Sequence, residues 1–156
     1  MTLVVGGVTY VRQSTFTVGD PRLAKALAWI SARNGDTTVT HGSTTIPVNE
    51  YCEEVDEWAY SWFGGTKNNV GYASAFADYK VQLAAGRFHK DSTNESTAPA
   101  GALLFFTGAD PSTGHVGIAV GDGAHYWTTD GTIHEAPLAE GDGYLGWSLA
   151  PLGWPG

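Results

Sequence analysis

The sequence predicts an α+β domain in which helices come first and an antiparallel sheet follows. Three observations carry that expectation. Val55, Trp58, Ala59 and Trp62 recur at i, i+3, i+4 and i+7, the spacing of one buried helix face. From Gly101 onward the apolar pattern changes to that of short strands separated by Gly- and Asp-containing turns. Helices and strands that occur in separate runs, without βαβ alternation, belong to the α+β class. At 156 residues and 42% hydrophobic content, the chain fits a single domain, 1–156, with a sizeable core.

In chain order, Leu3 to Val5 and Val8 to Val11 flank Gly6-Gly7 and read as a hairpin. Asp20-Pro21 opens a helix, with Asp as N-cap and Pro at the first position. Leu23, Leu27 and Ile30 form its apolar stripe, and Asn34-Gly35 ends it. Residues 36–50 are rich in Thr, Ser and Gly and read as a loop. The next helix begins at Cys52, and its acidic residues Glu53, Glu54, Asp56 and Glu57 are expected in water. A third helix carries Tyr72, Phe76, Tyr79 and Leu83 as its stripe and stops at Gly86. Residues 87–98 form a polar loop. Strands are expected at 103–106, 115–120, 124–129, 132–136 and 144–149, with Gly121-Asp122-Gly123 turning the second into the third.

Composition narrows the function classes. Eight basic against sixteen acidic residues give a net charge of −8, which argues against nucleic acid as a partner. One cysteine excludes an internal disulfide and cysteine-rich zinc sites. No run approaches the length of a membrane span, so membrane insertion is not expected. The start, MTLVVGGVTYVRQ, lacks the basic segment and long apolar core of a signal peptide. The expectation is a protein that is cytoplasmic, released by another route, or cut from a longer secreted chain.

Cys52 is the candidate nucleophile. A thiol at a helix N-terminus gains from the positive end of the dipole, which favours the thiolate, although nearby acidic residues oppose it. A thiol also needs a base, and the base a third group to orient it. His115 is the candidate base, opening a strand within GALLFFTGADPSTGHVGIAVGDG, residues 101–123. His41 and His89 lie in polar loops and read as solvated, and His134 as a surface or half-buried residue. No HxH or HxxxH spacing supports a metal site. The two Gly-Asp-Gly runs read as turns, and no cofactor is expected.

The segment containing Gly101, Leu103, Phe105, Phe106, Gly114, His115, Val116, Gly117, Ile118 and Gly121-Asp122-Gly123 resembles the histidine hairpin of the NlpC-type and CHAP-type cell-wall cysteine peptidases and amidases. The Thr128-Thr129-Asp130 and Tyr144-Leu145-Gly146-Trp147 runs are similar to phage and actinobacterial members. The resemblance covers residues 50–148 as a catalytic core and leaves 1–49 as an N-terminal extension. It implies a papain-like fold and a monomer that hydrolyses an amide bond in the peptidoglycan stem peptide. Cys52 would attack, His115 would serve as base then acid, and Tyr51 would add a donor for the oxyanion. A regular hairpin turning near Asp122 puts about residues 128–130 opposite His115. Asp130 is therefore the expected third member, with His125 as the alternative. Such an enzyme would act on the wall after release from the cytoplasm or as part of a phage particle. The rival readings are a thiol acyltransferase or deamidase on a related fold, and a non-catalytic wall-binding module.

Overall fold

The computed structural model describes residues 2–5, 8–11, 20–61, 74–92, 96–121, 123–127, 131–151 and 153–155. Among the described residues, three helices pack on one face of a five-stranded antiparallel sheet, giving the α+β arrangement that the sequence predicts. At the N-terminus β1 (Thr2–Val5) and β2 (Val8–Val11) pair antiparallel, with Val5 opposite Val8.

Helix α1 (Pro21–Ser31) starts as expected: the Asp20 carboxylate accepts from the Arg22 backbone N–H, and Pro21 occupies the first turn. Leu23, Ala26 and Ile30 form its buried face. Arg22 also ties the helix to the chain's end, its Nη1 donating at 2.7 Å to the carbonyls of Pro151 and Trp154.

Residues 36–50 depart from the expected loop. They contain an antiparallel hairpin, β3 (Thr38–His41) and β4 (Thr44–Pro47), turning at Gly42-Ser43. Val39 and Ile46 face each other across it and are buried in the main core. A single inward apolar residue per short strand leaves almost no periodic signal, so composition alone reads as loop.

Helix α2 (Cys52–Ala59) follows, and α3 (Ala75–Ala84) begins under a Ser74 cap whose hydroxyl accepts from Ala77 N–H at 3.2 Å. Two expectations fail here. On α2, Glu53, Asp56 and Glu57 are buried and not in water. On α3, Leu83 is exposed, while the buried positions are Ala75, Asp78 and Gln82. The reason is a second stripe within α2: Glu53, Asp56, Glu57 and Tyr60 also fall at i, i+3, i+4 and i+7. Glu53 and Asp56 meet Asp78 of α3, which accepts a hydrogen bond from Gln82 Nε2 at 2.7 Å. Gln82 Oε1 in turn accepts from Arg87 Nε at 2.8 Å. Trp62 and Tyr72 lie outside the described residues.

The sheet runs in the order β8 (His134–Pro137), β7 (Ala124–Trp127), β6 (His115–Gly121), β5 (Leu103–Phe106), β9 (Tyr144–Ser148). Strands β5 to β8 form the expected meander, and β9 returns to pair beside β5. Leu103, Phe105, Val116, Ile118 and Tyr126 face the helices and join Val55, Trp58 and Ile30 in the main core. Leu104, Phe106, Ala119 and Leu138 build a smaller core on the other face. Among the described residues, no helix is long and apolar enough to cross a membrane.

Candidate functional site

The N-terminus of α2, the N-terminus of α3 and the loop leading into β6 enclose a cleft of about 390 Å³. Cys52 and His115 both line it, with Asn49, Glu50 and Tyr51 on one wall and Asp110 and Thr113 on the other. Local hydrogen bonds fix these parts. Val55 N–H donates to the Tyr51 carbonyl at 2.9 Å, closing the first turn of α2 and setting Cys52 at its start. Phe76 N–H donates to the Thr113 carbonyl at 2.9 Å, which anchors the His115 loop to α3. Gly114, at φ +68°, makes the turn between them, where a Cβ would lie 3.2 Å from both Phe76 N and the Phe106 carbonyl oxygen.

The sulfur of Cys52 accepts a hydrogen bond from the Val116 backbone N–H, so it sits beside the residue that follows His115. Burial pushes the thiol up to about 12; the carboxyls of Glu53, Asp56 and Glu54 add to the rise, and the Val116 N–H opposes it. Burial thus opposes the thiolate that the helix dipole favours. Removal from water and three acidic neighbours outweigh a dipole contribution that is typically about 1 kcal/mol or less. Burial likewise lowers the His115 imidazole to about 3, with His125 contributing. Burial thus favours the neutral form of each group, the protonated thiol and the unprotonated imidazole.

His115 pairs with Phe106 across β5 and lies on the sheet face opposite Val116. His125, also buried, shares that face. The Phe106 ring lies between them, 6.0 Å from the His115 ring and 5.1 Å from that of His125. His125 pairs with Ala119, and its ring reaches back along β6 toward Gly117 and acts on the His115 imidazole. The irregularity between Ala119 and Gly121 does not bring it opposite His115. Asp130, Thr128 and Thr129 lie outside the described residues, as does Asp122 of the expected turn. Gly117 shapes this face, since a Cβ there would stand 2.5 Å from the Tyr126 carbonyl oxygen and 3.3 Å from His125 Cδ2.

Tyr51 lines the cleft as an exposed residue, and its side chain does not cap α2. Exposed His89 stacks on Trp147 at 4.0 Å, and exposed His41 packs against Trp58 at 5.9 Å. His134 is half-buried. Glu53 is the cleft residue that the sequence reading missed. The available clue was the alignment of Glu53, Asp56 and Glu57 as a stripe, matched by Ser74, Asp78 and Gln82 on the next helix.

No protein-family model matches the chain, and no curated protein matches it. Among solved structures, it is similar to a Staphylococcus aureus protein described as similar to a lipoprotein, of the NLP/P60 family. The two superpose with a TM-score of 0.53 at 19% identity, over 90% of this chain and 45% of the other. The chain thus spans under half the length of that protein. A likeness at this identity speaks for architecture, and together with the element order it shows that this chain has the papain-like α+β fold of the NLP/P60 type.

Proposed function

We propose that the protein is a cysteine hydrolase that cleaves an amide bond in the peptide part of bacterial peptidoglycan. The observation that carries this reading is the meeting, in one cleft, of the chain's lone thiol at a helix start and a histidine at a strand start. The fold shared with an NLP/P60 protein supports the wall as the setting.

In this reading the substrate carbonyl enters the cleft over Cys52. The thiol is neutral before binding, so its proton passes to neutral His115 as the sulfur attacks. A tetrahedral oxyanion forms, and the Cys52 backbone N–H at the start of α2 is a donor for it. Tyr51, on the cleft wall, is the proposed second donor. His115 then gives the proton to the leaving amine, and water attacks the thioester with His115 again as base. Asp130 is the proposed orienting group. His125, whose ring shares the Phe106 face with His115, is the alternative. A phage-lysin-like role, with wall binding supplied by another protein or segment, fits the same chemistry.

Incubation with purified sacculi tests the reading. New amino groups should appear in the soluble fraction, and mass spectrometry of the fragments should name the bond. Transfer of an acyl group to an added amine, without net hydrolysis, would favour the acyltransferase instead. Sacculi bound but left intact would indicate a wall-binding module.

A further inference from the structure

Cys52 and His115 approach the cleft from different sides of the sheet. Val116 faces the helices and joins the main core, whereas His115, one residue earlier, points to the other face. The backbone of β6 shows how the two meet. Ala119 N–H donates to the Ala102 carbonyl at 2.8 Å, and the Ala119 carbonyl accepts from Gly101 N–H at 2.7 Å. Ala119 therefore bonds toward the chain that leads into β5. Hydrogen-bonding directions alternate along an antiparallel strand, so the N–H of Val116, three residues earlier, points to the β7 side. Among the described residues the register of β6 with β7 begins only at Ile118, opposite Tyr126. Beyond that paired stretch the Val116 N–H has the Cys52 sulfur as its acceptor. This N–H lies in the plane of the sheet, between the face that carries α2 and the face that carries His115. Burial and the carboxyls of Glu53, Asp56 and Glu54 oppose a negative sulfur there, and the Val116 N–H works against them.

Building on the hydrolase reading, we propose that the backbone N–H of Val116 is a catalytic group, which stabilises the charge that develops on the Cys52 sulfur as His115 takes its proton. A neutral thiol is a weak acceptor, whereas a thiolate accepts a charge-assisted bond that is roughly twice as strong. The gain therefore appears as the proton leaves, which is the condition for lowering a barrier. The S–H bond breaks, its proton passes to a ring nitrogen of His115, and the electron pair left on sulfur forms the bond to the substrate carbonyl carbon. As charge moves on to the carbonyl oxygen, the Val116 bond weakens and the Cys52 N–H takes over. Two consecutive residues thus supply both halves of the activation. His115 contributes the base through its side chain, and Val116 contributes the donor through its backbone.

The test replaces the Val116 peptide N–H by an ester oxygen, introduced by chemical ligation, which deletes the donor and keeps the side chain. The same exchange at Ile118 is the control, because that N–H lies on the same side of β6 but within the stretch paired to β7. Iodoacetamide alkylation reads the thiol without any hydrolysis. At pH 9 the Val116 ester should alkylate about fivefold or more slowly than the wild type, and the Ile118 ester within about twofold of it. An unchanged rate in the Val116 ester, or an equal fall in both esters, overturns the proposal. Nuclear magnetic resonance on the unaltered protein gives a reading that does not depend on the esters folding. The Val116 amide proton should move downfield as the thiol ionises, and should not move in Cys52→Ser. An amide that does not follow the thiol also overturns the proposal. A second arm follows cleavage of a stem peptide, where the Val116 ester should lower kcat about tenfold or more with KM little changed. Cleavage at the wild-type rate by the Val116 ester would overturn the catalytic role and leave the hydrolase standing. Alkylation that slows as expected, with no peptide cut by the wild type, would support the thiolate donor and count against the hydrolase.

Discussion

Asp78→Asn converts the buried carboxyl between α2 and α3 into a permanently neutral group of the same shape. Asp78 is completely buried, and burial raises it from 3.8 to about 7, against the pull of Gln82 and Arg87. The folded protein therefore holds this proton more tightly than the unfolded chain does. Below pH 3.8 both states are protonated and no stability is lost. Between pH 3.8 and about 7 the unfolded chain has released its proton and the folded one has not. Stability then falls by about 1.4 kcal/mol per pH unit. Above that window both states are ionised and the loss levels off. A rise of about three units gives at most about 4 kcal/mol, so roughly 2–4 kcal/mol is expected. The amide oxygen keeps the acceptor that Gln82 Nε2 uses at 2.7 Å. The variant should match the wild type near pH 4 and exceed it by that amount at pH 8. Urea unfolding at each pH, followed by tryptophan fluorescence, reads the difference, and any effect of His115 or His125 cancels between the two proteins. Parallel stability curves, separated by a constant amount from pH 4 to 8, would refute the buried-carboxyl account.

Thiol alkylation by iodoacetamide should give one adduct, run slowly at pH 7, and keep accelerating through pH 10, as a thiol raised to about 12 requires. A plateau below pH 8 would mean that the resting thiol is already ionised. His115→Ala should leave a folded, inactive protein, checked by circular dichroism and release of new amines from sacculi. Asp130→Ala should cost more activity than His125→Ala in matched assays on the same sacculi; the reverse order would move the orienting role to His125. Gly117→Ala should destabilise by about 1–3 kcal/mol in urea, because its Cβ would stand 2.5 Å from the Tyr126 carbonyl oxygen and push β6 from β7.

The sheet was legible because its strands are bounded by turn residues and read the same at every level. Leu103–Phe106 is a continuous apolar run buried on both faces, and Tyr144–Ser148 was displaced by one residue at its end. Helix α1 announced itself through Asp20-Pro21 at its start. The burial of Glu53, Asp56 and Glu57 runs against the sequence expectation because apolar spacing marks one face of α2 and gives no weight to a polar stripe. Burial of Glu53 and Asp56 against Asp78 runs against the usual cost of removing carboxylates from water. Only the protonated state of such a cluster makes it tolerable, and protonation is invisible in a sequence. Within the cleft, the residue types of Cys52 and His115 were readable, whereas their charge states depend on burial that the fold creates.

The central claim is that Cys52 carries the acyl group of a cleaved wall peptide. Rapid quenching of the protein with a peptidoglycan stem peptide, followed by intact-mass and fragment analysis, measures this directly. The expected result is an adduct with the mass of the acyl half of the peptide, held on Cys52 as a hydroxylamine-sensitive thioester and absent from Cys52→Ser. Peptide cleavage that proceeds equally in Cys52→Ser, with no adduct on the wild type, would contradict the account.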